Sequence, residues 1–103
     1  YHNDGVNIRA RLGATVQASE SGVVVHASNK LQGYGNLVLI KHQNGWVTAY
    51  AHNDKILVRK GQQVARGQAV AEVGSTGRVD SPQLHFEMRK GSRAVNPTLY
   101  LKS

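Results

Sequence analysis

Apolar and polar residues alternate over short stretches of this chain, and glycine-containing turns separate the stretches. Alternation with a period of two predicts β-strands that bury one face. The two clearest stretches, residues 36–42 and 46–52, flank Gln43-Asn44-Gly45. Because Asn-Gly favours the positive φ angles of a tight turn, the pattern predicts an antiparallel hairpin there. Similar alternation occurs at residues 6–10, 22–27, 69–73 and 83–88.

The last residues follow a different pattern. Asn96-Pro97 precedes Thr98-Leu99-Tyr100-Leu101. Asparagine is a common helix N-cap and proline is favoured at the first helical position. The sequence therefore predicts an all-β antiparallel domain with one short helical turn near its C-terminus.

A short motif occurs twice in tandem. Lys60-Gly61-Gln62-Gln63-Val64 is followed by Arg66-Gly67-Gln68-Ala69-Val70. Glycine beside a strand usually marks a turn, because it adopts φ values that other residues avoid. We interpret the motif as two tight turns at a corner of the sheet.

Composition narrows the functional classes. The 103 residues suffice for one domain, and no apolar run is long enough to span a bilayer. The absence of cysteine excludes a disulfide scaffold, a thiolate zinc site and a cysteine nucleophile. Thirteen Lys and Arg against six Asp and Glu give a net charge of +7, which favours an acidic or polyanionic partner. Because the chain begins at Tyr1 without methionine, we expect residues 1–103 to be a domain excised from a longer protein.

Strand periodicity predicts a row of polar side chains on one face of the sheet. In residues 83–87, Leu84 and Phe86 belong to the core, so Gln83 and His85 project together to the other side. The segment around residues 3–7 and the end of the stretch at residues 46–52 contribute further side chains. The expected row consists of Asn3, Asn7, His52, Gln83 and His85, with Tyr50 as a wall beside it.

A series of motifs covers nearly the whole chain. They are Asp4-Gly5-Val6-Asn7-Ile8, Gly13-Ala14-Thr15-Val16, Ser21-Gly22-Val23-Val24, residues 33–42, Tyr50-Ala51-His52, residues 60–64, Gly74-Ser75-Thr76-Gly77, Leu84-His85-Phe86-Glu87 and Val95-Asn96-Pro97. In order and type they resemble the motifs of LytM, or lysostaphin-type, zinc metallopeptidase domains. The resemblance implies a single twisted antiparallel sheet (the duplicated hybrid, lysostaphin-like motif) whose groove holds zinc and a peptidoglycan cross-bridge.

Three active-site positions depart from the pattern of that family. The resemblance places the zinc ligands at Asn3, Asn7 and His85, where the family has His, Asp and His. It places two assisting histidines at Gln83 and His52, of which only His52 matches. Two neutral amides are weak donors for zinc, and Gln83 cannot transfer a proton near pH 7. We therefore expect no zinc, no other cofactor and no peptidase activity.

Two neighbouring residues are rival candidates for the ligand positions. His2 and Asp4 lie next to the Asn positions. A shift of one residue places a side chain on the opposite face of a strand. If Val6 and Ile8 face the core, we expect His2 and Asp4 to lie on the wrong side for the site.

Degenerate LytM domains occur in bacterial cell-division factors, and this chain resembles those of the NlpD and DipM families, and more distantly EnvC. Asn3 and Asn7 together favour the DipM type. The resemblance implies a periplasmic envelope protein, active at the division septum, that activates N-acetylmuramoyl-L-alanine amidases and other peptidoglycan hydrolases. The groove of the lost zinc site would bind the partner through Asn3, Asn7, Tyr50, His52, Arg78, Gln83 and His85.

Arginines near this groove would add contacts to acidic groups of the partner or of peptidoglycan, because guanidinium binds carboxylate in a bidentate manner. The candidates are Arg9, Arg11, Arg78 and Arg89. Arg78 lies in residues 77–82, a predicted loop beside the site strand, and loops commonly carry binding specificity.

Four alternatives remain open at this point. The first is a zinc peptidase with residual activity on peptidoglycan cross-bridges, and the second is a module that binds peptidoglycan without activating an enzyme. A biotinyl- or lipoyl-type carrier is disfavoured because the Asn44-Gly45 tip has no lysine to modify. Nucleic-acid binding is disfavoured because the six aromatic residues, one Trp, four Tyr and one Phe, are scattered and form no stacking platform.

Overall fold

Nine strands form one antiparallel sheet in the computed structural model, which describes residues 5–90 and 93–95. The strands are β1 (Gly5–Arg9), β2 (Thr15–Gln17), β3 (Gly22–Ser28), β4 (Asn36–Lys41), β5 (Trp46–Ile56), β6 (Gln63–Val64), β7 (Ala69–Val73), β8 (Gln83–Lys90) and β9 (Arg93–Val95). One turn of 3-10 helix spans Gln43–Gly45. The predicted all-β antiparallel sheet is therefore confirmed. The predicted turn at residues 96–101 lies outside the described residues.

The main path through the sheet runs β1-β8-β5-β4-β3-β6. Strand β7 joins β5 to β2, and β9 pairs with the end of β8. Long strand β5 therefore pairs with three partners, and β8 lies between β5 and β1. Among the described residues there is no helix long and apolar enough to cross a membrane.

The hairpin between β4 and β5 forms where the Asn-Gly signal predicts it. Asn44 and Gly45 both have positive φ, 64° and 79°. The His42 N–H donates to the Trp46 carbonyl at 2.7 Å, so three residues form the loop. Asparagine and glycine tolerate this left-handed backbone better than other residues, and this explains the local choice of sequence.

The main core lies on one face of the central strands. Val38, Ile40, Tyr50 and Phe86 are each 4 % exposed or less, and the edges of the twisted sheet contribute further buried valines. A smaller cluster of Leu37, Ala49 and Ala51 lies on the other face, because these residues alternate with the core residues. Val6 packs against the main core as predicted, whereas Ile8 remains 43 % exposed.

The tandem motif forms two matching turns. In each turn a left-handed glycine and the next glutamine exchange two backbone hydrogen bonds with one buried residue. The side-chain carbonyl of that glutamine accepts a third bond from the N–H three residues earlier. Gly61 and Gln62 bind Val24, and Gly67 and Gln68 bind Ala18. Turn geometry thus accounts for the repeat, and it leaves Lys60 and Arg66 exposed at equivalent tips.

Candidate functional site

Asn7 and His85 are cross-strand neighbours in the β1–β8 pair. Their side chains project to the face opposite Val6 and Phe86, as the period of two predicts. His85 Nδ1 and Asn7 Oδ1 are 2.6 Å apart, which is a short hydrogen bond. The site therefore begins with a direct contact between two side chains of neighbouring strands.

The other ring nitrogen of His85 contacts Glu87. His85 Nε2 lies 2.7 Å from Glu87 Oε2, and Arg89 donates to Glu87 Oε1 from Nε at 3.0 Å and from Nη2 at 2.8 Å. These three side chains share a face because they alternate along β8. Burial of Glu87 alone would raise the pKa of its carboxyl, but the hydrogen bonds from His85 and Arg89 outweigh burial and lower this pKa. The carboxylate is therefore ionised at neutral pH, and His85 Nε2–H donates to it.

Both ring nitrogens of His85 are thus occupied. Nε2–H donates to Glu87. At Nδ1, either the ring donates to Asn7 Oδ1, or the Asn7 amide is rotated and donates to Nδ1. In both arrangements neither nitrogen of His85 has a free lone pair.

His52 reaches the same face through an unusual backbone conformation. Simple alternation from Tyr50 would place His52 on the core side. Its φ of 69° is left-handed and reverses that alternation, so its ring centroid lies 6.0 Å from that of His85. A histidine with this φ is uncommon, and surrounding contacts must hold it.

Two hydrogen bonds hold His52 in place. Its Nδ1–H donates to the Thr76 carbonyl at 2.8 Å, and its backbone N–H donates to the Tyr34 carbonyl at 2.8 Å. Burial lowers the pKa of His52, the bond to Thr76 opposes this shift, and the neighbouring His85 lowers the pKa further. The ring is neutral at pH 7, and its Nε2 has the lone pair.

A network of two asparagines and one threonine surrounds His52. Asn53 is completely buried, and its side-chain amide donates to the carbonyls of Tyr50 and Asn36 at 2.8 and 3.0 Å. The amide of Asn36 donates in return to the Asn53 carbonyl at 2.9 Å. The Thr76 hydroxyl donates to that same carbonyl at 2.7 Å and accepts the Asn36 N–H at 3.1 Å. The network fixes the backbone on both sides of His52.

Two glycines let the loops of this network approach closely. A Cβ on Gly35 would stand 2.7 Å from the nitrogen of Gly77 and would also collide with Thr76. A Cβ on Gly77 would stand 2.5 Å from the nitrogen of Gly35. Both glycines have positive φ, so neither position suits another residue.

Tyr34 also belongs to the site, although it is not among the residues predicted from the sequence. Its ring centroid lies 6.5 Å from that of His85, and its ring packs against the small cluster of Leu37, Ala49 and Ala51. The signal was its position between Gly33 and Gly35, where an aromatic side chain interrupts a turn. We call the surface formed by Asn7, Tyr34, His52 and His85 the histidine face.

The prediction for Tyr50 was wrong. Tyr50 is 1 % exposed and packs on Phe86 in the main core, with ring centroids 5.5 Å apart. Its hydroxyl bonds to Thr48 and Ser19, on the side away from His85. The reversed alternation at His52 is the physical reason, because it separates two residues that a regular strand would place on one face.

The remaining predicted residues lie around this face or outside the described residues. Gln83 precedes His85 by two positions, and its amide donates to the Ser81 carbonyl at 3.2 Å. Arg78 is exposed, and its backbone N–H donates to the Gly33 carbonyl at 3.1 Å. Arg9 and Arg11 are exposed, whereas Arg89 pairs with Glu87. Asn3 and the rival ligands His2 and Asp4 lie outside the described residues.

Comparison with known proteins identifies the family. The model of peptidase family M23 matches residues 1–97. The chain belongs to this family. The catalytic domain of the antimicrobial peptidase lysostaphin from Staphylococcus simulans matches 98 % of the chain and 80 % of its own length, with a TM-score of 0.91 and 33 % identity. A zinc-containing peptidase from Vibrio cholerae matches 89 % of this chain over 28 % of its own length, with a TM-score of 0.84 and 40 % identity.

Curated relatives of this M23 domain include proteins named NlpD and DipM, as the resemblance implied. Each match covers 96 % of the chain. The lipoprotein NlpD/LppB homolog of Pseudomonas aeruginosa is 50 % identical, murein hydrolase activator NlpD of Escherichia coli 48 %, and cell division protein DipM of Caulobacter vibrioides 48 %. The chain spans only 33, 26 and 17 % of their respective lengths.

The M23 family implies zinc, but the described residues do not fit it. A catalytic zinc site needs about three protein donors, each with an available lone pair. Asn7 offers a neutral amide, and both nitrogens of His85 are in hydrogen bonds. Across residues 5–90, no cluster of three or more His, Cys, Asp or Glu side chains has a geometry for a metal. The histidine face is instead a hydrogen-bonded polar patch, in which Asn7 is exposed, Tyr34 and His85 are half-buried, and the neutral ring of His52 is 7 % exposed.

Proposed function

We propose that this domain is a catalytically inactive M23 domain that activates peptidoglycan hydrolases during cell division and daughter-cell separation. The bond between Asn7 Oδ1 and His85 Nδ1 carries the proposal, because it joins two positions at which the resemblance to LytM domains places zinc ligands. Their donor atoms serve each other rather than a metal. The names of the relatives, murein hydrolase activator NlpD and cell division protein DipM, support the activator role.

The partners that we propose are N-acetylmuramoyl-L-alanine amidases and, second to them, other peptidoglycan hydrolases. Peptidoglycan is the shared substrate, and the periplasm at the division septum is the proposed location. Relatives named as a lipoprotein and as a cell division protein support an envelope location. The net charge of +7 suits a partner segment that is acidic.

The histidine face is the proposed docking surface, with Gln83, Arg78 and Asn3 at its margin. An activator shifts a hydrolase to its open conformer only by binding that conformer more tightly. A hundredfold preference, about 2.7 kcal/mol, would bring a conformer populated at about 1 % to about half. The hydrogen bonds that hold His52 and His85 keep the surface preformed, so docking orders few groups on this side.

Dye release from labelled sacculi tests this proposal. The domain alone, a purified amidase alone and their mixture are compared at equal concentrations. We expect release only, or mainly, in the mixture. Release by the domain alone would show a peptidase, and sedimentation with sacculi without stimulation of the amidase would show a passive binding module; both results contradict the proposal.

A matched pair of charge reversals locates the docking surface. Arg78→Glu changes an exposed residue whose loop contacts Gly33 beside the histidine face. Arg59→Glu makes the same change in charge at an exposed turn of the tandem motif. We expect Arg78→Glu to weaken amidase stimulation about tenfold, in line with a lost charge-assisted contact, and Arg59→Glu to leave it within about twofold. Equal effects would remove Arg78 from the interface.

A further inference from the structure

A furrow lies on the side of the sheet opposite the histidine face. It is a hollow of about 760 Å³. Phe86 and Met88 line it, and they alternate along β8 with His85 and Glu87 of the other face. We call it the Trp46 furrow, after the tryptophan at its side.

A directed chain of hydrogen bonds forms the polar part of its floor. The Ser21 carbonyl can only accept, so His42 Nδ1 donates to it at 2.8 Å. In the neutral ring Nε2 then accepts the Thr48 hydroxyl at 2.7 Å, and Thr48 in turn accepts the Tyr50 hydroxyl at 2.8 Å. These polar atoms are satisfied within the protein, so the floor is preformed and the rim must supply the contacts for a ligand.

The rim combines an aromatic ring, amide side chains and cations. Trp46 lies beside the exposed amides of Gln43 and Asn44, and Lys90 Nζ is 5.2 Å from its ring centroid. Arg66 borders the hollow as well, and Glu20 is the acidic residue among those that line it. Arg66 and Lys90 therefore outnumber the acidic residue at the furrow.

This combination fits an acidic sugar polymer. The C–H-rich face of a pyranose ring is apolar and packs on an aromatic or apolar surface through dispersion. Hydroxyl and acetamido groups are donors and acceptors that side-chain amides match. A carboxylate on the sugar would pair with arginine or lysine at the rim.

We propose that the Trp46 furrow binds the carboxylate-bearing amino-sugar chain of peptidoglycan. The choice of this polymer, rather than another acidic glycan, rests on the proposed function. Because the furrow and the histidine face lie on opposite sides of the sheet, one domain would hold the wall strand and the hydrolase together. An amidase frees this carboxylate when it removes the stem peptide, so the bound strand is the product of the enzyme. Such tethering would keep the enzyme beside a region of the wall that it has begun to process.

The single tryptophan of the chain gives a local signal for binding. Peptide-free glycan strands, which carry the lactyl carboxylate, are titrated while Trp46 fluorescence is followed. Neutral chitin oligosaccharides and poly-glutamate serve as comparison polymers. We expect a saturable change with glycan strands, binding at least about tenfold weaker with chitin oligosaccharides, and no saturable change with poly-glutamate at the same carboxylate concentration. An absent response to the strands, or an equal response to either comparison polymer, would overturn the proposal.

The tandem turns provide matched variants for this titration. Arg66 and Lys60 occupy equivalent exposed tips, but only Arg66 borders the furrow. We expect Arg66→Glu to weaken glycan binding about tenfold and Lys60→Glu to change it less than twofold. Equal losses in both variants would show a non-specific effect of net charge and would overturn the proposal.

The two proposals can fail separately. A His85→Ala variant alters the histidine face and leaves the furrow residues in place, so glycan binding measured by Trp46 fluorescence should persist. Loss of glycan binding in this variant, with its circular dichroism spectrum unchanged, would contradict the furrow. Glycan binding by a domain that fails to stimulate any hydrolase would contradict the proposed function alone.

Discussion

The hydroxyl of Thr76 is the best point at which to test how His52 is held. It accepts the Asn36 N–H at 3.1 Å and donates to the Asn53 carbonyl at 2.7 Å. Valine has nearly the same shape without a hydroxyl, so Thr76→Val removes both bonds. The carbonyl of residue 76, which binds His52 Nδ1, belongs to the backbone and remains.

The expected magnitude follows from what each partner loses. The Asn53 carbonyl keeps the bond from the Asn36 amide, so this loss costs about 1 kcal/mol. The Asn36 N–H is left half-buried without that partner, at a cost of about 1–3 kcal/mol, and its partial exposure favours the lower end. We expect the free energy of unfolding to fall by about 2 kcal/mol and the melting temperature by about 8–16 °C for a domain of this size.

Urea titration followed by circular dichroism measures the change, and Thr76→Ser is the matched control because it keeps the hydroxyl. We expect the serine variant to stay within about 1 kcal/mol of the natural domain, since only a methyl group is removed. NMR of the imidazole nitrogens adds a local readout, because a loosened loop weakens the Nδ1–H bond of His52. Equal losses for valine and serine, or a loss below about 0.5 kcal/mol for valine, would refute this account of the network.

Three further predictions concern the backbone, pH and zinc. In urea titration, Gly35→Ala should lower the free energy of unfolding by about 3 kcal/mol or more, because the new Cβ would collide with Gly77. Gly13 also has a positive φ but has open space around it, so Gly13→Ala should lower it by only about 1–2 kcal/mol. Burial is the main reason why the pKa of His52 is lowered from 6.5, so below that pH the unfolded chain binds more protons than the folded one. The free energy of unfolding should therefore be constant with respect to His52 above about pH 7 and should fall as the pH drops through 6.5. The His52→Asn variant should show a smaller decrease. Equimolar zinc should leave the melting temperature of the domain unchanged. A rise of several degrees that a chelator reverses would contradict the conclusion that Asn7 and His85 do not fit a zinc site.

Local patterns were sufficient to predict the sheet and part of the site. The Asn44-Gly45 turn and the alternation in β8 depend on neighbours in sequence, and both are as predicted. The pairing of Asn7 with His85 also follows from parity once the two strands are neighbours. Period-two reasoning therefore places the side chains wherever the strand is regular.

The errors occurred where the backbone is irregular. Nothing in Tyr50-Ala51-His52 signals a left-handed histidine, because the contacts that hold it come from Tyr34 and Thr76, which are distant in sequence. Tyr50 faces the core through its regular register with Phe86, and the left-handed φ of His52 turns that side chain to the opposite face. The Trp46 furrow is similarly non-local, since β5, β8 and the second tandem turn all contribute to it.

His85, at a position where the resemblance predicts a zinc ligand, shows that such a histidine also has hydrogen-bonding partners within the protein. Its ring connects Asn7 of β1 to the carboxylate of Glu87, which is 2 % exposed. Without His85, Asn7 and Glu87 would each lose a hydrogen-bond partner, although Glu87 would keep its two bonds from Arg89, so the ring has a structural task of its own. The bond to Asn7 joins β1 to β8. A face that stays ordered in this way loses little conformational entropy when a partner binds, and this is the property that an activator surface requires.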